Sequence, residues 1–289
     1  MQLTPRYDGK TFLMIEGAPD DQREPLIRQR RRLQHALAGL TDDQWATPSR
    51  CDGWTVQDVI SHLVTVNQFW SLSIGLGVAG TPTQFLATFD PVATPAQLVE
   101  AARDTAPADT LEQFAASNEA LFDAVGSLDA SGWNALAEAP PGHITVRLLA
   151  HHALWDGWVH ERDVLLPLGI APDEEADEII SCLRYAAALG PTFALAPGDV
   201  TDARSQPARR GSLVVDATDP DVHVVVEVAD IVHVHTGAAP DGAVRLAGRA
   251  VDLVEALSIR APLGHSVPEA SRWLLGGLAE VFDTTVALD

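Results

Sequence analysis

The stretch HHALWDGWVHERD, from His151 to Asp163, constrains the chain more than any other segment. His152, Asp156 and His160 recur in it at intervals of four, which stacks their side chains along one face of an α-helix. Leu149, Trp155 and Val159 flank that stripe, so the helix reads as largely buried. Two imidazoles and a carboxylate inside a protein cost free energy unless something pairs with them. A divalent metal ion is one such partner.

The pattern around this helix divides the chain. Residues 1–22 read as an irregular arm, broken by Pro5, Gly9, Gly17 and Pro19. Glu24 to about Leu40 carries Leu26, Ile27, Leu33, Leu37 and Leu40 near one helical face, with Arg28, Arg30, Arg31 and Arg32 read as a solvated face. Thr55 and Asp58 form a capping-box variant that starts a helix running to about Leu72, with His62 at the edge of its apolar stripe. Gly75, Gly77 and Gly80 match the dinucleotide fingerprint. That fingerprint needs a strand before it and a helix after it, whereas here a helix precedes and Thr81-Pro82 follows, so the glycines read as a helix end and turn.

Leu98 to Arg103 and Leu111 to Val125 predict further helix, the polar-stripe helix spans about Thr145 to Leu166, and another covers Asp177 to Leu189. Residues 24–190 thus read as a helical bundle. Beyond Pro197 the pattern changes to valine-rich stretches, Ser212 to Ala217 and Val222 to Thr236, the latter holding two strands or one bulged strand. Helical stretches at Ala250 to Ile259 and Pro268 to Val286 close the chain. The expected class is α+β: an arm over 1–22, a helical bundle over 23–195 and a small α+β domain over 196–289.

Charge and composition narrow the function. A formal net charge of -21 repels phosphate backbones and anionic membrane surfaces, so neither nucleic acid nor membrane is expected as a partner. The N-terminus MQLTPRYDGKTF lacks an apolar signal core. Cys51 and Cys182 lie far apart and form no Cys-x-x-Cys pair, which favours two free thiols and a cytoplasmic location. Lys10 is the one lysine and falls in the arm, which argues against Schiff-base and P-loop chemistry.

The spacing of Asp156 and His160 lets one helix grip a metal from one side, and His62 is the candidate third ligand. Three protein ligands leave coordination open for water or substrate, the catalytic arrangement. His152 either extends this site or donates to a carbonyl. Asp163, one turn past His160, is either a surface charge or an acceptor that orients a ligand imidazole. No G-x-S-x-G elbow exists, and Gly264-His265-Ser266 lacks the rest of it. His233 and His235 share a strand face, so a second metal site and plain solvent exposure are both open there, with exposure favoured.

CDGWTVQDVISHL (Cys51 to Leu63) with WDGWVHERDVLLPLG (Trp155 to Gly169) resembles the mycothiol-dependent maleylpyruvate isomerase superfamily. AVRLAGRAVDLVEALSIR (Ala243 to Arg260) is similar to the smaller C-terminal domain of that superfamily. The resemblance implies a DinB-like four-helix bundle followed by a sterol-carrier-like α+β domain. It implies a divalent ion, usually zinc, on His62, Asp156 and His160, and mycothiol or another small thiol as co-substrate. The metal-bound thiol would add to a small electrophile, by transfer or by thiol-assisted isomerisation. Arg260 matches the C-terminal arginine of the family, to hold a substrate carboxylate or to form a structural salt bridge. His152 joins it as a candidate catalytic residue.

One departure stands out. Glutamate is the usual carboxylate of the family, and Asp156 is shorter by one methylene, which draws an ion about 1.5 Å toward the helix axis. Two rival readings share the same residues: a thiol-independent metal enzyme doing tailoring or hydrolytic chemistry, and a non-catalytic small-molecule-binding protein. A monomer or homodimer is expected.

Overall fold

The computed structural model describes residues 5–17, 21–195, 209–282, 284 and 287. Short strand β1 (Leu13–Ile15) precedes α1 (Arg23–Leu37), the single turn α2 (Asp42–Trp45) and the long α3 (Val56–Val78). A 3-10 turn at Phe85–Thr88 leads to α4 (Ala93–Ala102), α5 (Pro107–Gly126) and α6 (Ala130–Asn134). A two-stranded hairpin, β2 (Leu136–Ala139) with β3 (Gly142–Thr145), then feeds α7 (Val146–Leu165), and α8 (Ala176–Leu195) follows.

Helices α1 and α3 each pack against both α5 and α7, which makes a four-helix bundle. Local chemistry sets its helix starts. Thr55 Oγ1 accepts from Asp58 N at 3.2 Å while Asp58 Oδ2 accepts from Thr55 N at 2.8 Å, so the expected capping box is formed. Thr145 caps α7 by accepting from Leu148 N. Gly75 and Gly77 lie in the last turns of α3, and Gly80 takes φ +81 just past its end. The helix outruns the expected end at Leu72 because Gly77 lets its backbone pack directly on the Leu136 carbonyl of β2.

After residue 208 come β4 (Gly211–Thr218), β5 (Val222–Val228), β6 (Val232–His235), β7 (Val244–Arg249), α9 (Ala250–Leu257), a 3-10 turn at Glu269–Ser271 and α10 (Trp273–Val281). The sheet order is β1-β6-β5-β4-β7. β4, β5 and β6 pair antiparallel, with Val215 opposite Val224, while β7 joins β4 and β1 joins β6 in parallel. Val222 to Thr236 therefore holds two strands. Helices α8, α9 and α10 pack on this sheet. One apolar core runs from Trp70 and Leu121 in the bundle through Cys182 and Leu189 in α8 to Val226 and Val254.

Several expectations need correction. The arm read as irregular supplies β1, with Leu13 and Ile15 buried, because a parallel partner supplied by β6 is invisible to local pattern. The hairpin of β2 and β3, which turns at Pro140 and Pro141, had no counterpart among the expected elements. α8 runs past Leu189 through Pro191, where Gly190 and Gly277 let α8 and α10 approach backbone to backbone. Of Arg28, Arg30, Arg31 and Arg32, read as a solvated face, Arg31 alone is exposed. Arg30 is wholly buried, donating to the Ala153 carbonyl at 3.0 Å and to Asn67 Oδ1 at 3.3 Å. Arg28 and Arg32 pair with Glu178 at 2.8 Å each, and Arg32 also with Glu161 at 2.7 Å. α1 is surrounded by α5, α7 and α8, so its polar side meets acids from later helices.

The expected boundary at 195/196 falls at the edge of residues 196–208, and Val286, the expected end of the last helix, also lies outside the described residues. No helix among the described residues is long and apolar enough to cross a membrane.

Candidate metal centre

Helix α3 carries His62 two turns past its cap, and α7 carries Asp156 and His160 on one face. The bundle brings them together: one donor atom from each of His62, Asp156 and His160 lies within 4.8 Å of the other two. The rings of His62 and His160 are 5.1 Å apart and nearly perpendicular, and Trp54 lies 5.4 Å from His62. Asp156 Oδ1 is 3.7 Å from His160 Nε2. Asp156 Oδ2 is buried with no hydrogen-bond partner, which is costly for a carboxylate oxygen unless a cation meets it. The spacing argument therefore placed the three residues in one cluster.

A second group shares His160 through its other nitrogen. His160 Nδ1 lies 3.1 Å from Asp163 Oδ2 and 3.8 Å from Cys51 Sγ, and Cys51 donates to Asp163 Oδ2 at 3.3 Å. These three donors also lie within 4.8 Å of one another. A cation already faces them: Arg260 donates to Asp163 from Nε at 3.0 Å and from Nη2 at 2.9 Å, and its Nη2 is 3.7 Å from Cys51 Sγ. Asp163 is fully buried, so the reading of it as a surface charge is wrong.

The charges follow from these contacts. Burial pushes His62 down to about 4, helped by His160, so its imidazole is neutral at pH 7. Burial opposes protonation of His160 as well. Its hydrogen bonds to Asp163 and Cys51 and the charge of Asp156 override burial and push it up to about 10. Asp156 is held below the ordinary carboxylate range: burial works against its charge, but His160, His62, His152 and Arg30 outweigh burial. Asp163 is held far lower in the same way by His160 and Arg260. Without an ion the site is thus a protonated imidazole between two carboxylates, with a neutral imidazole beside it.

His152 does not join the ligand group; among the described residues the donors gathered there are His62, Asp156 and His160. Its Nδ1 lies 2.9 Å from the Tyr185 hydroxyl, and the rings of Trp70 and Trp155 stand 5.0 and 5.5 Å away. Burial raises the Tyr185 hydroxyl well above its ordinary pKa, so it keeps its proton, and burial holds His152 down at about 4. The residues that sequence reasoning missed here are Tyr185, Ser258 and the part played by Cys51. Cys51 stands in the same CDGWTV segment as the helix cap, whereas nothing in the local pattern marks Tyr185 or Ser258.

His233 and His235 do share a face of β6. His235 Nε2 is 2.9 Å from Glu227 and its Nδ1 accepts from Gly237 N at 2.9 Å, so both ring nitrogens are engaged. Among the described residues neither histidine belongs to a group of three close donors.

Two imidazoles and one carboxylate form a donor set suited to zinc and similar divalent ions. The neutral His62, the ionised Asp156 and its unpartnered oxygen fit such an ion.

Comparison with known proteins agrees with this architecture. Residues 26–165 match the model of the mycothiol maleylpyruvate isomerase N-terminal domain. The crystal structure of the mycothiol-dependent maleylpyruvate isomerase is similar at TM-score 0.58 and 15% identity, over 87% of this chain and 95% of that one. A histidine-to-alanine mutant of that enzyme gives TM-score 0.58 and 16% identity over the same shares of 87% and 95%. YfiT from Bacillus subtilis, described as a probable metal-dependent hydrolase with an unusual four-helix bundle topology, gives TM-score 0.42 at 16% identity, over 57% of this chain and 98% of that one. No curated protein matches the sequence. The expected fold, a helical bundle followed by a strand-rich α+β region, is the one observed.

Proposed function

We propose, for a chain whose residues 26–165 match the model of the mycothiol maleylpyruvate isomerase N-terminal domain, a metal-dependent enzyme that adds a small thiol to an electrophilic small molecule. His62, Asp156 and His160 hold the divalent ion, zinc in the first instance. When bound, such an ion lowers the pKa of a coordinated thiol and holds it as the nucleophilic thiolate. Mycothiol or a thiol like it is the co-substrate, and the outcome is transfer to, or isomerisation of, the electrophile.

The protein's own residues prepare the site. His62 is neutral and offers a lone pair without losing a proton first. Asp163 accepts from His160 Nδ1, which fixes the ring and leaves Nε2 on the Asp156 side. His152, neutral at pH 7, shares a hydrogen bond between its Nδ1 and the Tyr185 hydroxyl, which holds its ring one turn from Asp156. In this reading the unit 23–195 holds the metal and 196–289 closes the site by bringing in Arg260. Both cysteines are free, in keeping with a reduced cytoplasm.

The observation that carries the reading is the meeting of His62 with Asp156 and His160 within 4.8 Å, from separate helices. Elemental analysis tests it. Purified protein is expected to carry close to one equivalent of a divalent metal, lost in His160→Ala. Stoichiometric metal retained by that variant would overturn the reading. Turnover of an electrophile without added thiol would move the assignment to thiol-independent metal chemistry.

A further inference from the structure

We infer that Arg260 is a positioning residue for the metal centre, acting through Asp163 on His160. The inference rests on the metal reading above. Three adjacent residues, Ser258, Ile259 and Arg260, end α9 and grip α7 on both sides of the ligand pair. Ser258 Oγ accepts from Trp155 Nε1 at 2.9 Å, next to Asp156. Arg260 donates to both carboxylate oxygens of Asp163, just beyond His160. The α7 segment that carries Asp156 and His160 is therefore held at its two ends by one turn from the other half of the molecule.

The backbone of that turn is unusual. Ile259 takes φ +55, a region that β-branched residues rarely enter. It sits where helix ends commonly place a left-handed glycine: Arg260 N donates to the Glu255 carbonyl at 2.8 Å and Ile259 N to the Ala256 carbonyl at 3.1 Å. A glycine would adopt this conformation freely, but the Ile259 side chain packs against the core and anchors the turn. The turn directs the Arg260 guanidinium back to α7. Asp163 is fully buried, and an unpaired carboxylate there would be heavily penalised. The fork from Arg260 fixes it, and in that position it accepts from His160 Nδ1 and leaves Nε2 to face Asp156. With Nε and Nη2 committed to Asp163, the main task of Arg260 is orientation rather than capture of a substrate carboxylate.

Cobalt(II) titration of the metal-free, full-length protein tests the inference, because visible absorption reports ligand geometry independently of turnover. Wild type is expected to bind cobalt with a defined spectrum. Arg260→Met and Asp163→Asn are expected to weaken cobalt binding by about 10-fold or more and to alter the spectrum in the same way. Arg260→Lys, which keeps the charge but not the fork, is expected to restore part of the affinity, and it carries the test if Arg260→Met does not fold. Ile259→Gly is expected to weaken cobalt binding less than Arg260→Met. Arg260 variants that match wild type in affinity and spectrum would overturn the inference alone. Wild type that binds no cobalt would overturn the metal reading, and this inference with it.

Discussion

His160 is the residue on which the site turns, since each ring nitrogen faces a carboxylate. Its raised pKa has a definite sign. In the metal-free protein the charged ring contributes stability that is complete below its ordinary value of 6.5 and is lost as pH rises through about 10. A divalent ion needs the Nε2 lone pair and must displace that proton. Metal affinity is therefore expected to rise with pH between 6.5 and about 10, by close to one decade per unit. Calorimetric titration in two buffers of different ionisation enthalpy should show close to one proton released per ion at pH 7.5. Proton-free binding there would contradict the charge state assigned to His160. The neighbouring Gly157 gives a second residue-scale expectation. A methyl group at that position would overlap Arg30 Nη1 and Gln29 Oε1, which are buried and hydrogen bonded to each other. Gly157→Ala should cost about 1–3 kcal/mol, the usual range for an overpacked core, read as a lowered thermal midpoint of the metal-free protein.

Helix α3 shows how a terminal signal and a functional residue share one element. Thr55 and Asp58 settle where the helix starts, and His62 comes two turns later. Thr55→Ala should cost about 1 kcal/mol through loss of the cap. Denaturant unfolding should show it as a lower midpoint with an unchanged slope; a changed slope would mean a broader disruption of the bundle. The start of α3, the polar stripe of α7 and the valine strands β4 to β6 were legible because each writes its own period or cap into consecutive residues. β1 was not, since three residues become a strand only when β6 lies beside them. Nor was the length of α8, where Pro191 argues locally for an end but close packing of Gly190 on Gly277 holds the helix together. The same division holds within the site. His62, Asp156 and His160 stood out by spacing, whereas Tyr185 and Ser258 act through single contacts made from distant elements.

At the scale of the molecule, the bundle and the C-terminal region meet on a polar seam as well as a shared core. Glu255 of α9 accepts from Arg162 Nε of α7 at 2.8 Å and from Arg50 Nη1 at 3.0 Å, while Arg50 also donates to the Arg260 carbonyl at 3.2 Å. Arg50 lies in the loop that holds Cys51, and its own N–H donates to the Asp163 carbonyl at 3.0 Å. Glu255 thus links the loop before α3, the end of α7 and the turn that aims Arg260. Its side chain and that of Arg162 are largely shielded from water, so the pair is screened less than a surface ion pair. Glu255→Gln keeps the shape but removes the charge that two guanidinium groups share. It should cost about 1.5–3 kcal/mol, the range for hydrogen bonds to charged groups. The loss should also be local. Hydrogen exchange at α9 and at residues 258–260 should speed up well before exchange in α3 or α5 does, because those helices keep every contact described for the bundle. Equal acceleration throughout would mean that the two regions unfold as one cooperative unit. In that case the seam would stabilise the whole fold rather than hold the metal-centre clamp in place.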